Sequence, residues 1–153
     1  SWMAHSLATM TENTSMILPA GRFRAWPVSA RIFLTLGALS ACTSVVFSAA
    51  FAHLPVFASG VPVVVQTALS QHQFHSVGLL LAGLVAVVRG QSRWLWAAGG
   101  LMLVGLLLFS FNLYARYVLG WDAFRAWVPW GGAAWIVAWL TMAMGCFRGS
   151  DPI

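Results

Sequence analysis

Apolar and polar residues separate along this chain in blocks the length of whole helices. Four long apolar windows, 30–52, 61–88, 94–115 and 129–147, are divided by short polar breaks. A bilayer core of about 30 Å is crossed by about 20 residues of helix, a length that every window reaches. The pattern predicts an all-α fold: a four-helix transmembrane bundle over 29–148, with a polar N-terminal leader at 1–28 and a short tail at 149–153. The breaks "LPVFASG" and "RGQSR" are short. Successive helices are therefore expected to be antiparallel neighbours in one up-down-up-down domain.

Composition agrees. The 153 residues are 60% hydrophobic and 7% charged, with a mean hydropathy of +0.82, which is the range of integral membrane proteins. The eight basic residues are all Arg and are scattered, so the high pI implies no nucleic-acid surface. Arg22, Arg24, Arg31, Arg89, Arg93 and Arg148 flank one end of the predicted bundle, and Arg116 and Arg125 the other. The positive-inside rule then puts both termini in the cytoplasm. Trp26, Trp94 and Trp96 fall at the expected inner interface and Trp121, Trp127 and Trp130 at the outer one, where amphipathic rings settle. The "AFAH" at 50–53 has the form of a signal-peptidase site, but the apolar run before it is longer than a signal sequence needs. The leader is expected to pack on a partner or on the bundle itself. Cys42 and Cys146 lie in different spans, so no disulfide is expected.

The second window opens with polar residues, "QTALSQHQFH" at 66–75. At 1.5 Å per residue, His75 lies about 21 Å and His72 about 25 Å outward from Arg89; on the third span Ser110, Asn112 and Tyr114 lie about 24, 27 and 30 Å outward from Trp94. His53, at the outer end of the first span, caps the same level. Thr67, Gln71, His75, Gly78 and Ala82 recur at helical spacing, polar above and small below. These positions predict an interhelical polar cluster of His53, Thr67, Gln71, His75, Ser110, Asn112 and Tyr114. Close helix packing is expected at Gly37, Ala41, Gly78, Ala82, Gly131 and Gly132.

Intramembrane ionisable groups are candidate functional groups by default. Haem b is the alternative to a purely structural role, with His75, His53 and His72 as candidate ligands. His72 and His75, three apart on one helix, cannot approach one iron from opposite sides, so the pair would need His53. No carboxylate or cysteine sits at that depth to complete a metal site, and the three acidic residues, Glu12, Asp122 and Asp151, flank the spans. G-x-S-x-G, P-loop, HExxH and CxxC motifs are all absent. Neither a catalytic residue nor a resident cofactor or metal is expected.

Several segments carry a resemblance. "FAHL" with His53, "TALSQHQFHSVGLL" with Thr67, Ala68, Gln71 and His75, "LFSFNLY" with Phe109, Ser110 and Tyr114, and "PWGGAAWIVAW" with Pro129, Gly131, Gly132 and Trp139 stand in the order and spacing of a known family. From about Arg31 to Gly145 the chain resembles the YgdD-like small bacterial inner-membrane proteins, domain of unknown function 423. Ser70 departs from the family's Tyr, Asn112 from a small Ser and Ala138 from a Gly, and His72 has no counterpart. The resemblance implies a multi-pass protein of the bacterial inner membrane with four helices and no established enzymatic activity.

Three functions are compatible with these features. The first is a non-catalytic accessory or structural subunit packed against a larger membrane complex, respiratory or photosynthetic, through the leader and the Trp135/Trp139 face. The second is a haem-binding electron-transfer subunit using His75 and His53. The third is a small transporter, channel or lipid-binding protein in which His75 gates a polar cavity.

Overall fold

The computed structural model describes residues 2–7 and 25–148. The expectations for the rest of the leader and for the tail, with Arg22, Arg24, Glu12 and Asp151, fall outside the described residues. A short helical segment covers 2–7. Four long helices follow: α1 Val28–Phe51, α2 Val63–Arg89, α3 Arg93–Leu119 and α4 Val128–Arg148. All four are long and apolar enough to cross a bilayer.

Local chemistry sets their ends. Pro27 and Pro62 precede α1 and α2, and their carbonyls accept the first helical bonds, from Arg31 N at 3.1 Å and from Val65 N and Gln66 N at 3.0 Å each. Proline is pre-set for such an entry and has no N–H to leave unpaired. Gly90, at φ 87°, ends α2, and Ser92 then caps α3, its Oγ accepting from Trp94 N at 3.2 Å. α3 runs four residues beyond the 94–115 window before Gly120, at φ 73°, turns the chain out. In its C-terminal half two stretches, Leu106–Phe111 and Ala115–Leu119, are π-helical. The extension carries Arg116 toward the C-terminal end of α3, where Nε pairs with Asp122 at 3.2 Å.

Contact registers give the relative directions. Gly37 faces Leu80 while Gly83 faces Leu34: a Cβ on either glycine would lie 2.9 or 2.7 Å from the opposing Leu Cγ. This reciprocal knob-and-notch pair makes α1 and α2 antiparallel. Ser110 meets Ala68 and Met102 meets Gly78, so α2 and α3 are antiparallel too. Gly131 against Phe109 and Gly145 against Trp94 do the same for α3 and α4. Small residues let backbones approach, which is how helices associate when lipid supplies no hydrophobic drive.

The interior is layered. Phe33, Leu79, Leu95 and Met102 belong to an apolar cluster toward the arginine-rich end, and Phe51, Phe57, Val65 and Leu113 to another toward the opposite end. Between their centres lie His72, His75, Ser76 and Ser110, all buried. The outer faces of the helices carry exposed Leu, Val, Ile and Phe, such as Leu39, Leu84, Ile136 and Leu140, as a lipid-facing surface requires.

Candidate functional site

At 3.6 residues per turn, His72 and His75 point about 60° apart around α2, and the structure gives them different neighbours. His72 is fully buried toward α1 and α3. Its Nδ1 is 3.0 Å from the Tyr114 hydroxyl and its Nε2 is 3.1 Å from Ser40 Oγ. Ser40 Oγ is 2.6 Å from Ser76 Oγ, and Ser76 donates to the His72 carbonyl at 2.7 Å.

That last bond orders all the others. The Ser76 proton goes to a carbonyl, which can only accept, so Ser40 must donate to Ser76. The Ser40 oxygen then accepts from His72 Nε2–H, and the lone pair on Nδ1 accepts from Tyr114. The neutral His72 ring is thereby the Nε2–H tautomer. Phe47 and Phe111 close around the ring, with centroids at 6.3 and 5.2 Å.

His75 is fixed the other way. Nδ1 donates to its own helix, at Gln71 O, 2.8 Å away, and Nε2 accepts from the indole N–H of Trp139 at 3.1 Å. A carbonyl only accepts and an indole only donates, so this ring is the neutral Nδ1–H tautomer. Trp135 stacks on it at 3.9 Å with planes 6° apart. The Trp135 indole itself donates to Met102 O on α3 at 3.1 Å. Two histidines three residues apart thus hold opposite tautomers in two separate networks, one joining α1, α2 and α3 and the other joining α2 and α4.

The single cluster expected from depth is therefore divided. Ser110 and Tyr114 do join α3 to α2, Ser110 by donating to Ala68 O at 2.8 Å. His53 does not take part: it is exposed in the loop after α1, because α1 ends at Phe51 and that ring fills the level instead. Thr67 is exposed and donates back to Val63 O at 3.1 Å. Asn112 turns to the outer loop, giving its amide protons to Leu108 O and Phe124 O at 3.0 and 2.6 Å. Gln71 joins through its backbone carbonyl, while its half-buried carboxamide bonds to no described residue.

Of the close-packing positions, Gly37, Gly78 and Gly131 meet another helix, Ala82 is buried and Ala41 is half-buried. Gly132 does not meet one, since a Cβ there would find nothing within 4 Å; it lies one residue, about 100°, around from the contact at Gly131. Trp135 is buried against the chain's own helices, so the expected Trp135/Trp139 partner face reduces to the half-buried Trp139. The haem pair of His75 with His53 is not formed. His53 is on the surface, and the acceptor nitrogen of His75 is occupied by Trp139.

Sequence reasoning missed Ser76 and the pairing of Trp135 and Trp139 with His75. The signal was there. Ala68, His72, Ser76 and Leu80 repeat every four residues, a second stripe beside the one through Gln71 and His75.

Between α2 and α4 a cavity of about 310 Å³ opens on the side of the bundle. Thr67, Gln71 and His75 form its polar wall, and Phe74, Trp135 and Trp139 are among its aromatic ones.

Comparison with known proteins sets these residues in a family. The family model described as "Protein of unknown function (DUF423)" matches residues 47–132, more than half of the chain. The chain belongs to the DUF423 family. The DUF423 match runs from the C-terminal end of α1 to the start of α4 and so includes His72, His75, Ser110 and Tyr114. The inner membrane protein YgdD of Escherichia coli strain K12, a UPF0382 protein, is 30% identical over 127 residues, covering 79% of this chain and 93% of its own length. The membrane protein YwdK of Bacillus subtilis is 29% identical over 128 residues, covering 77% and 98%. A UPF0382 membrane protein of Haemophilus influenzae is 30% identical over 121 residues, covering 76% and 94%. No solved structure matches. This DUF423 chain is an integral, multi-pass protein of the bacterial inner membrane.

Proposed function

We propose that the protein is a non-catalytic accessory subunit that docks on a larger inner-membrane assembly, and that it docks through the outward face of α2. Gln73 carries this reading. It lies about 24 Å along α2 from Arg89, within a hydrocarbon core of about 30 Å. Its side chain is exposed and has no hydrogen-bond partner among the described residues. Lipid supplies no such partner, whereas a neighbouring helix does.

Ser70 lies on the same exposed stripe, and Val77, Leu81, Leu84 and Val88 continue it toward the inner end. A partner helix laid along α2 would meet hydrogen-bonding groups in the outer part and apolar side chains below. The non-catalytic part of the proposal is supported by the histidines, whose four ring nitrogens all have partners inside the bundle. For orientation, we favour the up-down-up-down threading with both termini cytoplasmic. Arg31, Arg89, Arg93 and Arg148 at one end outnumber Arg116 and Arg125 at the other, and Arg116 is already paired with Asp122.

Cross-linking in native membranes tests the docking face. In a background of Cys42→Ser and Cys146→Ser, Gln73→Cys should give an adduct with another membrane protein that Leu39→Cys on α1 does not give. Gln73→Leu should abolish co-purification of that protein in fixed stoichiometry. A monodisperse monomer after mild detergent extraction, with no adduct at residue 73, would refute the reading.

A further inference from the structure

We infer that the lateral cavity between α2 and α4 is a binding site for an uncharged amphiphile with a flat cyclic headgroup bearing carbonyl or hydroxyl groups, the chemical class of membrane quinones. The inference does not depend on the docking face. Gln73 lies about 200° around α2 from Gln71, the cavity's own glutamine.

Charge limits the ligand first. No Arg, Asp or Glu lines the cavity, and His75 is held neutral by its two bonds, so an anionic or cationic headgroup would find no counter-charge. Hydrogen bonding limits it next. The Gln71 carboxamide offers both a donor and an acceptor with no described partner, and Thr67, whose proton goes to Val63 O, retains a lone pair to accept. A headgroup with a ring carbonyl or hydroxyl satisfies these groups, and an alkyl chain would leave the amide unpaired. Gln71 lies about 27 Å along α2 from Arg89, at the outer edge of the hydrocarbon core, where a ring headgroup at the level of the lipid headgroups can reach its half-buried amide.

Shape limits it third. Phe74 and Trp139 lie 5.2 Å apart with planes 38° from each other, beside the stacked pair of His75 and Trp135. These faces suit a planar ring. Gly132 keeps the entrance open, because no atom stands within 4 Å of where its side chain would begin. The volume, about 310 Å³, is at the small end of ligand pockets, which span about 300–1,000 Å³ and combine apolar walls with a few polar groups. It takes a headgroup and not a tail. The tail would leave past Phe74 and Ile136, which are 57% and 65% exposed on the lipid side.

The test uses the full chain in lipid nanodiscs and a decyl-substituted benzoquinone as the probe. Tryptophan fluorescence should be quenched with a saturable component, and a photoreactive analogue should label residues within 67–75 and 132–139. Gly132→Leu, which fills the entrance without meeting another atom at Cβ, should weaken the saturable component at least tenfold. Gln71→Leu should weaken it several-fold, and both variants should melt as the parent does. Brominated phosphatidylglycerol should not compete. Quenching without saturation, labelling spread evenly over the lipid face, or equal competition by the phospholipid overturns the inference. If Gly132→Leu lowers the melting temperature, the labelling pattern of the unaltered chain decides.

Discussion

The donor order around His72 can be tested by removing its hydroxyls one at a time. Ser40→Ala deletes the acceptor for His72 Nε2–H and the donor to Ser76 together. Interhelical hydrogen bonds in membranes average about 0.6 kcal/mol, so two bonds amount to about 1.2 kcal/mol. A buried N–H left without a partner costs about 1–3 kcal/mol, and His72 is fully buried. The expected loss is about 1–2 kcal/mol. Ser76→Ala removes the acceptor of Ser40 and the Ser76 bond back to the His72 carbonyl within α2; the Ser40 proton can turn to a carbonyl of its own helix, the bond from His72 survives, and a bond within one helix adds little, so the expected loss is about 0.6 kcal/mol. Ser44→Ala is the control. Ser44 is buried like Ser76, and more so than Ser40, but it bonds only within α1, to Ala41 O at 2.7 Å, and its loss should stay below about 0.5 kcal/mol.

Reversible unfolding in mixed micelles, titrated with dodecyl sulfate and followed by circular dichroism, measures the three differences. Nitrogen-15 spectra of the unaltered protein, labelled at histidine, should show His72 as the Nε2–H tautomer and His75 as the Nδ1–H tautomer. Two outcomes would refute the donor order: Ser76→Ala costing as much as Ser40→Ala, or both buried rings in one tautomer.

Two further substitutions probe the helix contacts around the site. Gly131→Ala sets a methyl 2.7 Å from the backbone nitrogen of Phe109, which no rotamer change relieves; α4 must move off α3, at a cost of about 1–3 kcal/mol. Gly132→Ala should lie within about 0.5 kcal/mol of the parent in the same titration. Asn112→Leu removes the side-chain bond from α3 to Phe124 O in the following loop, together with the bond to Leu108 O within α3. Amides in 120–127 should exchange about tenfold faster, the equivalent of about 1.4 kcal/mol, with the inner ends of α2 and α4 unchanged by hydrogen-exchange mass spectrometry.

The spans were legible because a bilayer fixes helix length, and four apolar windows of sufficient length have few other uses. Helix pairing was legible in part through glycine: Gly37, Gly78 and Gly131 lie at real contacts, since a missing side chain in a span leaves a notch that something fills. The two π-helical stretches of α3 were not legible. "LLLFSF" and "ARYVL" contain no proline or glycine to mark a change of helix type. The phase of α3 shifts there, which sends Phe109 to Trp135 and Phe111 to His72.

Counting rise along a helix places residues by level but not by direction, and this accounts for the site residues that were misplaced. Gln71, His72 and Gln73 are consecutive, and each step turns the side chain by about 100°. Gln71 faces the cavity beside α4, His72 enters the core between α1 and α3, and Gln73 faces away from the bundle. Read as one polar patch, the three suggest a cluster. Separated by direction, they meet different requirements: His72 is already satisfied within the chain, whereas the two glutamines retain unpaired amides. The two amides lie about 27 and 24 Å along α2 from Arg89, on opposite sides of the helix, and the proposed cavity ligand and docking partner would each supply one of them with a hydrogen bond. The satisfied histidine therefore explains how the bundle holds together, and the unsatisfied glutamines beside it are the groups on which the proposed docking face and the proposed cavity ligand rest.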